Sequence, residues 1–166
     1  MRLSFDGARR VTPLLQTRFS ELNGELSPDG RWLAYESDSS GRSEIYVRPY
    51  PQTGAGQREV STAGGIQPVW ARGGKELFYL APDGSLMGVA VEASGGTWRA
   101  AAPVKLFQGR YYTRGPVPPR MYDVSPEGQR FLMLKPASGS DQPPAPPTLV
   151  VVQHFDEELK TRVPAK

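Results

Sequence analysis

Leu26-Ser27-Pro28-Asp29-Gly30-Arg31-Trp32-Leu33-Ala34-Tyr35 decides the fold, because it returns as Val124-Ser125-Pro126-Glu127-Gly128-Gln129-Arg130-Phe131-Leu132-Met133. Between the two lies a degenerate copy, Trp70-Ala71-Arg72-Gly73-Gly74-Lys75-Glu76-Leu77-Phe78-Tyr79. Anchored on Ser27, Ala71 and Ser125, the copies lie 44 and 54 residues apart, so the second interval carries an insertion. The chemistry of each copy is a turn. Pro28 pre-sets φ near −65°, Asp29 bonds to the nearby backbone, and Gly30 accepts the left-handed conformation from which the next strand leaves. Pro126 and Gly128 repeat the device, and Asp83 and Gly84 use it inside the middle unit. A β-rich run follows each time, so the repeating element is a hairpin.

Working outward, the strands group in fours at a period of roughly 40–50 residues, that of propeller blades. The first blade is expected over 23–61, with strands at 23–27, 32–37, 44–50 and 57–61. The second spans 67–107, with strands at 67–71, 76–80, 86–92 and 98–107. The third spans 121–154, with strands at 121–124, 130–135 and 148–154, and lacks its outer strand. Residues 10–16 precede the first blade as a candidate closing outer strand, since rings of blades remove open sheet edges by such pairing. A Pro-rich loop follows at 136–147, and residues 155–162 read as a short C-terminal helix. The expected fold is therefore all-β: a β-propeller fragment of about three four-stranded blades, half of a six-bladed ring.

Composition agrees. Among 166 residues, 38% are hydrophobic and 22% charged, which suits a globular domain. The 18 Gly and 17 Pro make about a fifth of the chain, a turn-rich balance. Cysteine is absent, which excludes disulfides and thiolate chemistry. The net charge of +3 comes from scattered cations rather than a basic stripe, so no nucleic-acid partner is expected. No apolar run of signal-peptide length opens the sequence and none is long enough to span a bilayer, so no membrane insertion is expected and the compartment stays open.

Chemistry is sparse. His154 is the only histidine, and no Gly-x-Ser-x-Gly elbow exists. Asp29, Asp83 and Glu127 sit at turns without the oxygen-donor spacing of a calcium loop. No catalytic, metal or cofactor site is expected. Trp32, Trp70, Phe78, Tyr35, Tyr79 and Phe131 recur at blade period, as packing between blades requires. The connection 108–120 differs: Arg110, Tyr111, Tyr112, Arg114 and Arg120 are the residue types enriched at binding hot spots, on a long loop. They are the candidate partner-binding residues.

Ser27 to Tyr35, Glu44-Ile45-Tyr46-Val47-Arg48-Pro49, Gln67-Pro68-Val69-Trp70 and Tyr122-Asp123-Val124-Ser125-Pro126 resemble the TolB-like, WD-like "PD" propeller repeat. They are most similar to propellers that end bacterial serine/threonine protein kinases, and the resemblance covers about residues 10–163. It implies a sensor or interaction arm that binds a protein or peptide. The strand count, three blades with unpaired edges at both ends, predicts completion of the ring by a second copy, in a homodimer, or by the remaining blades of a longer parent chain. Kinase activity does not carry over, because the Gly-rich loop, His-Arg-Asp and Asp-Phe-Gly are absent. The alternatives are the substrate-gating propeller of a prolyl-oligopeptidase-like hydrolase and a lactonase-type propeller enzyme.

Overall fold

The computed structural model describes residues 2–4, 10–94, 96–112 and 120–136, all within one compact unit that runs to Pro136. The expected third strand at 148–154, the helix at 155–162, the Pro-rich loop beyond 136, His154 and Arg114 lie outside the described residues. Among the described residues the fold is all-β, with one short 3-10 turn at Thr53–Ala55.

The strands are β1 (Arg2–Ser4), β2 (Arg10–Thr12), β3 (Glu21–Leu26), β4 (Trp32–Ser37), β5 (Glu44–Pro49), β6 (Arg58–Glu59), β7 (Ile66–Trp70), β8 (Glu76–Leu80), β9 (Ser85–Ser94), β10 (Thr97–Ala100), β11 (Val104–Gln108), β12 (Tyr122–Val124) and β13 (Phe131–Met133). The first sheet is an antiparallel meander in the order β3-β4-β5-β6. The second runs β7-β8-β9, with β10 and β11 both pairing along the far edge of β9. The third sheet is the hairpin β12-β13, and β1 pairs with β2.

Several strands differ in extent from the sequence reading, β1 is an additional one, and two differences have a visible cause. The strand expected at 98–107 is divided. Pro103 has no N–H to give a ladder, and β11 carries a further register shift between Lys105 and Phe107. The leading strand expected at 10–16 covers only Arg10–Thr12, stopping before Pro13. Leu14 and Leu15 instead pack on Leu33, Tyr35, Tyr46 and Tyr50, covering one face of the first sheet.

Side-chain alternation settles how the sheets meet. On β4, Trp32 and Ala34 face one way with Ile45 and Val47 of β5, while Leu33 and Tyr35 face the other. The Trp32 side joins Trp70, Leu77, Tyr79, Val89, Val91 and Trp98 of the second sheet in one core. The opposite face of that sheet, with Val69, Phe78, Leu80 and Leu86, joins Tyr122, Val124, Phe131 and Met133 of the third in another. The three sheets are therefore stacked, and the middle one is buried on both faces. That is why β8 reads Leu-Phe-Tyr-Leu without a polar interruption. Each such side chain taken from water contributes about 1.5–3 kcal/mol.

The turns align along one edge of the stack. Gly30, Gly74 and Gly128 donate backbone N–H groups to the carbonyls of Ser27, Ala71 and Ser125 at 2.8–2.9 Å, with φ of +68°, +68° and +75°. Gly84, between β8 and β9, does the same to Ala81 at 3.0 Å with φ +79°. A side chain at Gly30 would meet no atom within 4 Å, so its substitution measures backbone strain alone. At Gly84 a Cβ would also lie 2.4 Å from the Gly109 carbonyl oxygen. Gly30→Val is expected to cost roughly 1–2 kcal/mol, and Gly84→Ala distinctly more than Gly30→Ala. Urea unfolding of the variants measures both.

Candidate functional site

The sheets are joined by polar groups carried on their first strands. Asn23, Gln67 and Met121 each stand four residues before the anchor of a turn, so they are equivalent positions of the repeat. Asn23 (φ +50°) and Gln67 (φ +56°) are, among the described residues, the non-glycine residues with positive φ, and each sits inside a register shift of its strand. Left-handed backbone at a residue such as Gln67 costs about 1–3 kcal/mol and persists where surroundings over-determine it.

Those surroundings are explicit. Gln67 is fully buried. Its N–H donates to Glu36 Oε2 at 3.2 Å, its Oε1 accepts from the Met121 N–H at 3.1 Å, and its carbonyl accepts from the Tyr122 hydroxyl at 2.8 Å. Glu36 Oε2 also accepts from Asn23 Nδ2 at 3.1 Å. One polar chain thus crosses from the first sheet to the third. Burial, helped by the nearby Glu25 carboxylate, pushes the Tyr122 hydroxyl well above its ordinary range, so it stays a donor. Beside it Arg120 pairs with Glu25 at 2.7 Å, and the Trp70 indole N–H donates to the Glu25 carbonyl at 3.3 Å. Desolvation raises the Glu25 carboxyl, against the pull of Arg120.

A second buried carboxylate, Glu44, accepts from Arg42 Nε at 2.6 Å, from the Gly64 N–H at 2.9 and 3.0 Å, and from the Ser61 hydroxyl. These bonds let it anchor the 61–65 connection. Among the described residues, no three of His, Cys, Asp and Glu gather as ligands for a cation. Nor is any helix there long and apolar enough to cross a membrane.

Of the predicted loop residues, Arg110, Tyr111, Tyr112 and Arg120 are among the described residues. Arg110 is exposed. Tyr111 turns inward, its ring 6.2 Å from Phe107 and covered by the Lys135 ammonium at 5.7 Å. Tyr112 is half-buried and donates its N–H to the Leu134 carbonyl at 2.9 Å. Arg120 belongs to the first-strand polar row through Glu25. At two of the turns the carboxylates bond to nearby groups. Asp29 accepts from Ser27 Oγ at 2.6 Å and from the Arg31 N–H at 3.1 Å, and Asp83 accepts from the Ser85 N–H at 2.8 Å. These bonds, Ser27 first for Asp29 and the Ser85 amide first for Asp83, hold both carboxyls below their usual range.

Sequence reasoning missed a cleft of about 390 Å3 between the first and second sheets, beside the 27–30 and 71–74 turns. All three tryptophans of the chain, Trp32, Trp70 and Trp98, line it. The rings of Trp32 and Trp98 lie 6.2 Å apart at 44°, and the Arg58 guanidinium sits 5.5 Å from the Trp32 ring. The signal that could have found it is the presence of every Trp at strand positions near one turn level. No family model matches the chain, and no curated protein matches it.

Two measurements check this account. Gln67→Leu removes the acceptor for the Met121 amide, and Tyr122→Phe removes the donor to the Gln67 carbonyl. Each is expected to destabilise by about 1–3 kcal/mol in urea unfolding. The second measurement varies pH. Asp29 and Asp83 titrate below 3.8 when folded, so their contribution is complete above that value. It is lost as pH falls through the lowered values. Unfolding midpoints below pH 4 should therefore fall less with acid in an Asp29→Asn, Asp83→Asn double variant.

Proposed function

We propose that this chain is a non-catalytic β-propeller-type interaction module, its three stacked sheets serving as successive blades. The observation that carries the reading is the coincidence of two patterns. A turn-and-strand repeat in the sequence and a face-to-face stack of antiparallel sheets fall on the same residues, with equivalent turns along one edge. The TolB-like resemblance of residues 27–35 and 122–126 supports the same reading. The carboxylates withdrawn from solvent, two buried and one half-buried, support a binding role rather than catalysis. Glu36 and Glu44 are committed to neighbouring N–H and hydroxyl groups, and Glu25 to Arg120. What such a module offers a partner is shape and exposed donors, and the partner class is a protein or peptide. In the proposed setting the module is the sensor or interaction arm of a larger bacterial protein such as a serine/threonine kinase. Its ring is completed by a second copy or by further blades of the parent chain.

Purified protein is expected to show no phosphotransfer, peptidase or lactonase turnover, with or without divalent cations. Turnover abolished by His154→Ala overturns the reading. Light scattering at micromolar concentration is expected to give twice the chain mass of 18.2 kDa. A well-folded, non-aggregating monomer overturns closure by a second copy.

A further inference from the structure

Each sheet of the stack turns the same repeat positions toward the sheet that follows it. Seven residues after the turn anchors Ser27, Ala71 and Ser125 stand Ala34, Phe78 and Leu132. Ala34 is buried in the core that the first sheet shares with the second, and Phe78 is 2% exposed in the core that the second shares with the third. Leu132, at the same position of the third sheet, is 72% exposed. Two residues further on, Leu80 of the second sheet is buried, whereas its counterpart Leu134 is 51% exposed. Alternation sets their direction. Phe131 and Met133 pack against the second sheet, so Leu132 and Leu134 stand on the other side of the hairpin. The backbone holds them there: the Leu134 N–H donates to the Met121 carbonyl at 3.2 Å, and its carbonyl accepts from the Tyr112 N–H at 2.9 Å. The face that receives the next sheet twice in this fold is thus presented a third time, and among the described residues it is left open.

The opposite end of the stack differs. The outward face of the first sheet carries Leu33, Tyr35 and Tyr46, and all three are buried because Leu14, Leu15 and Tyr50 pack on them. The chain covers one end with its own residues and leaves the other bare. One bare apolar face per molecule is satisfied in pairs. A two-fold axis sets each face on its own copy and leaves no open face for a third. The chemistry of the patch fits its own image. Leucine side chains offer a partner no hydrogen bond, so what they select is another dry apolar surface. Asp123, cross-strand from Leu132, and Arg130, two residues before it, carry opposite signs, so the face does not repel its copy as a single-sign patch would.

We infer that the outward face of the third sheet, centred on Leu132 and Leu134, docks a second copy of this chain, third sheet to third sheet across a two-fold axis. The inference rests on the reading of the sheets as successive blades and names the face that the second copy takes.

The absence of cysteine makes the test clean, because Leu132→Cys and Leu134→Cys each give the full chain a single thiol. A two-fold axis through the patch brings equivalent positions within the roughly 7 Å between Cα atoms that a disulfide spans. Oxidised glutathione is therefore expected to link at least one of these variants to its own copy, seen as a doubled mass on a non-reducing gel. Gly54→Cys, at an exposed position of the first sheet's 3-10 turn, is expected to stay unlinked. Combining Leu132→Lys with Leu134→Lys sets like charges on both sides of the contact. It should raise the dimer dissociation constant at least about tenfold in sedimentation equilibrium. Both leucines are exposed, so the lysine variant is expected to keep the circular dichroism of the parent chain, and should it unfold, the cysteine variants decide. Failure of both to link, linking of Gly54→Cys just as readily, or a folded lysine variant that dimerises at full affinity overturns this face and leaves a dimer made elsewhere. A monomeric parent chain overturns the face together with closure by a second copy, and leaves completion to the further blades of a parent chain. Enzymatic turnover is the separate result that removes the module reading.

Discussion

Leu77, Phe78, Tyr79 and Leu80 follow one another on β8, and every one is buried. Leu77 and Tyr79 enter the core shared with the first sheet, while Phe78 and Leu80 enter the core shared with the third. A sheet with apolar side chains on both faces has no stable existence with one face in water. The middle sheet therefore dictates that a sheet lie on either side of it. Its neighbours in turn need only one apolar face to satisfy it. The first sheet meets the demand with Trp32, Ala34, Ile45 and Val47, and the third with Phe131 packed edge-on against Phe78 at 4.9 Å. Most of what is specific about the structure descends from this requirement.

Hydrophobic contact alone would let the sheets slide over one another. The first strands remove that freedom. By leaving the regular ladder at Gln67, β7 turns that residue's backbone groups outward. Its N–H then reaches Glu36 on the first sheet and its carbonyl reaches Tyr122 on the third. Polar groups in a dry interface are directional and intolerant of displacement, so this chain of bonds fixes the offset between sheets. The left-handed backbone at Gln67 is the strain accepted in exchange.

Much of the fold was legible because turn chemistry is local. Ser27-Pro28-Asp29-Gly30 specifies its own conformation within a few residues, and so does Ala81-Pro82-Asp83-Gly84, whatever the rest of the chain does. The apolar runs at 32–35 and 77–80 marked the strands that lie inside. What escaped depends on distant partners. Nothing near Gln67 announces a left-handed residue, because the cause lies in Glu36, Met121 and Tyr122. Tyr111 reads as a loop aromatic, and its neighbours Phe107 and Lys135 are set beside it by the sheet. The break at Pro103 was visible as a residue but not as a consequence, since β9 is long enough to hold both halves of its divided neighbour. The tryptophan cleft lay in plain view as three indoles, yet which N–H groups go unpaired is decided by single carbonyls such as that of Glu25.

The equivalence of Asn23, Gln67 and Met121 also bears on how such a chain can change length. The second and third of these positions are read by the sheet before them: Gln67 answers to Glu36, and Met121 answers to Gln67. A deletion or duplication that cuts within a unit would present the wrong residue at that position and leave a buried polar atom unanswered. One that begins and ends at the same point of the repeat brings the matching residue into place. Growth and loss in this architecture are thereby quantised, with whole units gained or shed and fractions excluded by hydrogen bonding.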